Sequence, residues 1–135
     1  MGEVSGFVLR APGEPVVYWV GDSILCDEVR TTIATERLEI IVVRACGAVW
    51  AGLGPLVMDE AMVRGTLAAA PSAVVVAIHL DAVDLATVTR ADLASAFAAD
   101  AGLRNRLRIP ADGETLTHDL PSRRSEEMSQ PAALS

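Results

Sequence analysis

The sequence predicts an α/β domain in which helices pack on a largely parallel sheet. Apolar segments of strand length, rich in β-branched residues, alternate with segments whose apolar residues recur at helical spacing. The 135 residues fit one domain that is long enough to bury a core. Hydrophobic residues make up 51% of the chain and aromatic residues only 4%, so the core must be built from Val, Ala, Leu and Ile.

Charge and cysteine usage exclude several classes of protein. The formal net charge of -7 disfavours nucleic-acid binding, and no clustered basic face offsets it. Cys26 and Cys46 form neither a CxxC pair nor a disulfide framework, which predicts reduced and mostly buried thiols. No apolar stretch approaches membrane-spanning length, and no signal-peptide pattern begins the chain. The expectation is a cytoplasmic, soluble protein without nucleic-acid or membrane partners.

The chain is predicted to open with a β-hairpin. Residues 6–10 and 16–20 have the composition of strands, and a Pro-Gly turn at 12–15 joins them. The second strand ends on Gly21-Asp22, after which residues 24–36 place apolar side chains at helical spacing.

The middle of the chain continues the alternation. Residues 39–43 are rich in β-branched side chains and predict a buried strand. Small residues interrupt 44–55, which predicts a loop. A helix is expected over 59–70, where Pro71 stops it, and an apolar strand over 73–78 follows.

The last elements are a capped helix and a short strand. Thr89 and Asp92 have the spacing of a capping box, and Gly102 is predicted to be the C-cap of the helix that they begin. Residues 106–109 alternate Arg with apolar residues, which predicts a short edge strand. The domain is expected to span 1–116, with 117–135 a polar, disordered tail.

Three features at the ends of predicted strands could carry chemistry. Asp22 ends one strand, where it either caps the following helix or binds a ligand. His79 ends another, as either a structural residue or a ligand, and the segment 44–48 follows a third. Ends of successive strands meet at one rim of an α/β sheet, so the three could lie together. Carboxylate and imidazole suit zinc, but a zinc site needs at least three protein ligands.

The order of several motifs is characteristic as a series. The motifs are Gly6-Phe7-Val8-Leu9, Pro12-Gly13-Glu14-Pro15, Tyr18-Trp19-Val20-Gly21-Asp22-Ser23, Ile41-Val42-Val43 with Gly47-Ala48, Val57-Met58-Asp59, Val74 to Leu80, and Pro110 to Leu116. This series resembles the second half of a metallo-β-lactamase-fold hydrolase. It is most similar to the bacterial branch related to the ascorbate-phosphate lactonases. The resemblance covers roughly residues 4–116.

The resemblance implies roles for two residues. By match, Asp22 would be the aspartate that bridges two metal ions and His79 the last His ligand, with zinc or another divalent metal as cofactor. Hydrolases of this family hold a metal-bound hydroxide against an ester, lactone, amide or phosphoester bond of a small molecule. The fold implied is one sheet-and-helix half of an αββα sandwich, whose metals lie at the rim between the halves.

The departures from the family pattern imply an incomplete protein. The family's His-x-His-x-Asp-His cluster has no counterpart, because His79 and His118 are the two histidines of the sequence and His118, in the polar tail, is a poor substitute. The stretch 1–6 is similar to an internal segment of longer relatives, so a fragment, a late start or a split half is expected. Such a half would be inactive alone and would expose an apolar sheet face, to be covered by a complementary N-terminal half or by another copy. The alternative is a non-catalytic α/β interaction module.

Overall fold

The computed structural model describes residues 3–119, which contain seven strands and four helices. The elements are β1 (Phe7–Leu9), β2 (Val17–Trp19), α1 (Asp27–Thr35), β3 (Ile40–Arg44), β4 (Val49–Trp50), β5 (Gly54–Pro55), α2 (Glu60–Ala69), β6 (Val74–Ile78), α3 (Arg90–Phe97), α4 (Ala101–Arg104) and β7 (Leu107–Arg108). This arrangement confirms the predicted α/β class.

Five of the strands form one sheet in the order β1-β2-β3-β6-β7. β1 and β2 are the predicted antiparallel hairpin, whereas β2, β3, β6 and β7 run parallel. The carboxyl ends of β2, β3 and β6 therefore lie along the same edge of the sheet, hereafter the carboxyl edge.

One face of the sheet, the helix face, is covered by the helices. Alternate strand residues on this face are 0–5% exposed and share a single core with apolar residues of α1, α2 and α3. Those of the sheet are Tyr18, Ile41, Val43, Val75 and Ala77. Those of the helices are Val29, Ile33, Val63, Leu67, Leu93 and Phe97.

The opposite face of the sheet, the open face, is also apolar but is only partly covered by the described residues. Strand register places Phe7, Trp19, Val42 and Val76 in one row across this face. Phe7 is 60% exposed and Leu9, on the same face, is 56% exposed. Residues 3–119 thus leave part of this apolar face exposed, and its covering by a second half or by another copy stays a prediction.

Side-chain caps begin two of the longer helices. The Asp59 carboxylate accepts a hydrogen bond from the Met62 N–H at the start of α2. The predicted capping box is confirmed at α3, where Thr89 and Asp92 each accept the other's backbone N–H. The pKa of Asp92 is lowered, chiefly because its carboxylate accepts a hydrogen bond from the Thr89 N–H. The hydrogen bond of the Thr89 side chain contributes a smaller lowering.

Two predictions about the connections are wrong. The segment predicted as a loop over 44–55 begins with the last residue of β3, and its later part forms a two-stranded hairpin of β4 and β5. Strands of two residues are too short to show alternation in a sequence. Gly102 does not cap α3, which ends near Ala98, but lies inside α4, whose N-cap Asp100 accepts from the Leu103 N–H.

Other predictions concern the termini and the thiols. Both cysteines are free, Cys46 buried and Cys26 partly so, which confirms the prediction for them. No helix within 3–119 has the length and apolar character to cross a membrane. The predicted disordered tail over 117–135 falls largely on 120–135, which lie outside the described residues, and the boundary at 116 stays a prediction.

Candidate metal-ligand site

A cavity of about 250 Å³ lies at the carboxyl edge of the sheet. Its polar lining comes from three strand ends: Asp22 follows β2, Arg44 and Cys46 come from the end of β3, and His79 follows β6. The rest of the lining is apolar: Ala48, Leu56, Val57, Val83 and Leu85. The predicted convergence of the three strand ends on one rim is confirmed.

Asp22 is placed by a turn that strongly favours glycine at position 21. Gly21 has a φ of 78°, and a Cβ there would lie 2.8 Å from the Ser5 carbonyl oxygen. The alternative that Asp22 caps the next helix is wrong, because α1 begins at Asp27 after the N-cap Cys26. The Asp22 side chain is instead 52% exposed at the rim of the cavity.

The Asp22 carboxylate is paired with a neighbouring guanidinium. Arg44 Nη1 donates to Asp22 Oδ1 over 2.5 Å, and the Arg44 side chain is 32% exposed. Arg44 Nε is buried and has no hydrogen-bond partner in the part of the chain that the structure describes. In the sequence, Arg44 directly follows an apolar run, which places it at a strand end. The prediction assigned Arg44 to a loop, so its contact with Asp22 was not expected.

His79 lies on a strained backbone at the end of β6. Its φ is 62° and that of Asp81 is 57°, a region that residues other than glycine rarely adopt. Strain of this kind persists where the surroundings hold it and is common at functional sites. The imidazole is half-buried, and its Nδ1 lies 3.8 Å from Cys46 Sγ.

Arg90 holds the strained segment in place. Its Nη1 donates to Asp81 over 2.9 Å, and its backbone N–H also donates to that carboxylate. The same guanidinium donates to the Pro110 carbonyl oxygen and to Asp112. The turn after His79, the start of α3 and the segment after β7 are thereby tied to one side chain.

The described residues do not fit a metal ion by themselves. Asp22 and His79 are two donors of the right chemistry on one cavity, but no group of three His, Cys, Asp or Glu side chains within 3–119 is placed to hold a metal. His118 does not supply the third donor, because it lines a groove of about 530 Å³ on the open face, with the first residues of β2, β3 and β6. A catalytic zinc needs three protein ligands.

Comparison with solved structures identifies the fold. The isothiocyanate hydrolase from Delia radicum gut bacteria matches with a TM-score of 0.81 and 29% identity, over 88% of this chain and 46% of that protein. A possible metal-dependent hydrolase from Veillonella parvula has the same fold, with a TM-score of 0.81 at 24% identity over 87% of this chain and 45% of its own. The chain therefore has the fold of about one half of these hydrolases, and the predicted resemblance to the second half of a metallo-β-lactamase-fold hydrolase is confirmed at the level of the fold.

A similarity at the level of sequence agrees with the fold. The UPF0173 protein YddR of Bacillus subtilis is 34% identical over 117 residues, which are 87% of this chain and 46% of that protein. No family model matches the sequence. This chain thus spans about half the length of the curated relative and of the solved structures that it matches.

Proposed function

We propose that this chain is the C-terminal half of a metal-dependent hydrolase and contributes Asp22 and His79 to a divalent-metal site completed by a second half. Zinc or another divalent ion would be the metal, and the substrate would be a small molecule with an ester, lactone or phosphoester bond. Free cysteines suit a reducing compartment, and we place the protein in the cytoplasm.

The observation that carries this proposal is the meeting of Asp22 and His79 at one cavity. The two residues lie far apart in sequence, and each follows a parallel strand or the turn that ends it. Ligands of α/β proteins bind outside the carboxyl ends of such strands. The backbone conformation of His79 supports the same assignment. Residues other than glycine at positive φ are uncommon, and they cluster at functional sites.

The need for a second half is supported by the open face. An apolar face that carries Phe7, Leu9 and Trp19 in exposed positions exceeds what scattered surface residues account for. The matched proteins are about twice as long as the matched segment, so each has a further half that could cover this face. The same half could supply the donors that residues 3–119 do not.

A fusion protein tests the proposal. This chain would replace the segment of the Bacillus subtilis relative that it matches, and metal-dependent turnover would be measured on esters, lactones, phosphoesters and an isothiocyanate. We expect turnover that a chelator abolishes and that Asp22→Asn or His79→Gln lowers by about ten- to a hundred-fold or more, the range seen even when only a group that supports a metal ligand is lost. A fusion whose turnover is unchanged by both substitutions would contradict the assignment.

A matched substitution separates a ligand role from a general effect. Asp27→Asn removes an exposed carboxylate at the start of α1, outside both the cavity and the open face. This variant is expected to retain turnover and metal content.

A non-catalytic interaction module is the second candidate, and the Asp22–Arg44 pair favours it. Arg44 already supplies the countercharge for the Asp22 carboxylate, so this carboxylate does not need a metal ion for charge balance. In that case the two halves of the fused protein would still pack together through the open face. No metal binding by the fused protein would depend on Asp22.

A further inference from the structure

The cavity at the carboxyl edge has a small polar part and a larger apolar part. Arg44 donates to Asp22, and His79 Nδ1 lies 3.8 Å from Cys46 Sγ. The charges of Asp22 and Arg44 balance each other, so this pair leaves no excess charge in the described lining. The apolar part consists of Ala48, Leu56, Val57, Val83 and Leu85.

One apolar wall is the loop over 83–88, which is fixed against the end of β3. The Thr87 N–H donates to the Cys46 carbonyl oxygen over 2.9 Å, and the Thr87 hydroxyl donates to the Gly47 carbonyl oxygen over 2.7 Å. A Cβ on Gly47, whose φ is 62°, would lie 2.5 Å from Thr87 Oγ1, so the close approach of the loop requires glycine there. This wall is therefore in place in the separate chain before any ligand binds.

The other apolar wall is the base of the β4–β5 hairpin. The Leu56 N–H donates to the Ala48 carbonyl oxygen over 2.8 Å, and the Met58 N–H donates to the Arg44 carbonyl oxygen over 3.1 Å. Ala48 and Val57 are buried and belong to the core. This wall is thus continuous with the packed interior of the domain.

Two apolar side chains of the lining remain uncovered. Val83 is 41% exposed and Leu85 is 48% exposed, although both line the cavity. The cavity of about 250 Å³ has room for a short alkyl chain or a ring, since an apolar cavity of about 150 Å³ holds benzene. Small-molecule sites typically combine an apolar lining with a few polar groups that fix the orientation of the ligand.

We propose that this cavity binds the apolar group of a small uncharged molecule, such as the alkyl chain of an ester. The proposal rests on the proposed function, since it names the substrate class of the same site, but the binding that it describes requires no metal ion. It favours esters and lactones with an apolar group over phosphoesters. A phosphoester anion would have to separate Arg44 from Asp22 or enter an apolar cavity without a countercharge.

The test is binding of n-hexyl acetate to the full chain without added metal, followed by nitrogen–proton correlation NMR. We expect the amide signals that shift to cluster on residues 44–48 and 83–88, around the cavity. n-Butyl acetate has a shorter alkyl chain and should bind about ten-fold more weakly, because less apolar surface is buried. n-Hexyl phosphate keeps the alkyl chain but is an anion, and it should also bind at least about ten-fold more weakly.

Substitutions of exposed residues make the result specific to the cavity. Leu85→Ser should weaken binding of n-hexyl acetate by about five-fold or more, because it removes part of the apolar wall, whereas Leu85→Met should retain it. Leu53→Ser is the matched control, since Leu53 is an exposed leucine of the β4–β5 hairpin outside the cavity lining. Phe7→Ser is the control for the open face. Both controls should bind like the unmodified chain, and circular dichroism should show that all variants are folded.

An absence of shifts at 44–48 and 83–88, up to the solubility limit of n-hexyl acetate, would overturn the proposal. Shifts confined to the open face, equal binding of n-hexyl phosphate, or an equal loss in Leu53→Ser would overturn it as well. These measurements involve neither turnover nor metal. A fused protein whose turnover depends on Asp22 and His79, together with no binding of n-hexyl acetate by this chain, would refute the substrate class alone. Failure of this proposal and failure of the proposed function are therefore distinguishable.

Discussion

The two faces of the sheet are built from equally apolar residues but are covered very differently. Ile41 on the helix face is fully buried, whereas its neighbour Ile40 on the open face is only partly so. The first four residues of β3 and all five of β6 are continuous apolar runs, a pattern typical of strands buried on both faces. A sheet with one solvated face alternates apolar and polar residues instead. The comparison teaches that the strands suit two covering layers, of which residues 3–119 provide one.

The largest expected effect comes from a matched pair of substitutions in β3. Ile41→Ala should lower the free energy of unfolding by about 2–5 kcal/mol, because it leaves a cavity in the closed core. Ile40→Ala should cost less than half as much in the separate chain, since its side chain loses fewer contacts. Urea unfolding followed by circular dichroism measures both, and equal costs would show that the open face is already covered.

A smaller effect is expected on association through the open face. Phe7→Ser should weaken binding to the other half of the Bacillus subtilis relative, or self-association, by about ten-fold or more, because a buried Phe contributes about 1.5–3 kcal/mol. Sedimentation over a range of concentrations measures the association. Leu53→Ser is the control, since Leu53 is similarly exposed but lies at the β4–β5 hairpin. If it weakens association as much as Phe7→Ser, the open face is not the interface.

Removal of the candidate ligands should hardly alter the fold. The double variant Asp22→Ala, His79→Ala is expected to change the free energy of unfolding of the separate chain by no more than about 1 kcal/mol, because exposed ion pairs contribute little. Thermal and urea unfolding test this. A large loss of stability would assign the two residues to the architecture of the carboxyl edge rather than to a ligand.

The smallest expected effect concerns the layer of helices at acid pH. The pKa of Asp92 is lowered in the folded protein, chiefly by the Thr89 backbone N–H. Its contribution to stability is therefore present above the pKa of the unfolded chain and is lost as the pH falls through the lower, folded value. Asp92→Asn should flatten the acid limb of a plot of unfolding free energy against pH. An unchanged acid limb would contradict the role of the capping box.

Local patterns predicted the parts of the fold that depend on neighbours in sequence. The β1–β2 hairpin and the Thr89–Asp92 box follow from composition and spacing over a few residues. The β4–β5 hairpin could not be predicted, because two-residue strands show no period.

The candidate site was predictable in part. Asp22 and His79 stand out because each follows an apolar strand. Their approach to the segment 44–48 was predicted as well. The particular contacts, Asp22 with Arg44 and His79 with Cys46, could not be predicted, since they depend on the register that sets Trp19 beside Val42 and Arg44 beside Ile78. That register is a tertiary property, which a single sequence does not encode locally.

The most direct test of the account is the metal content of this chain with and without the other half of the Bacillus subtilis relative. The separately produced polypeptides would be mixed, purified by size exclusion with light scattering, and analysed by inductively coupled plasma mass spectrometry. We predict a stable pair that retains divalent metal and loses it on Asp22→Asn, while this chain alone retains none. Stoichiometric, tightly bound metal in this chain alone would contradict the account, as would a pair whose metal content ignores Asp22.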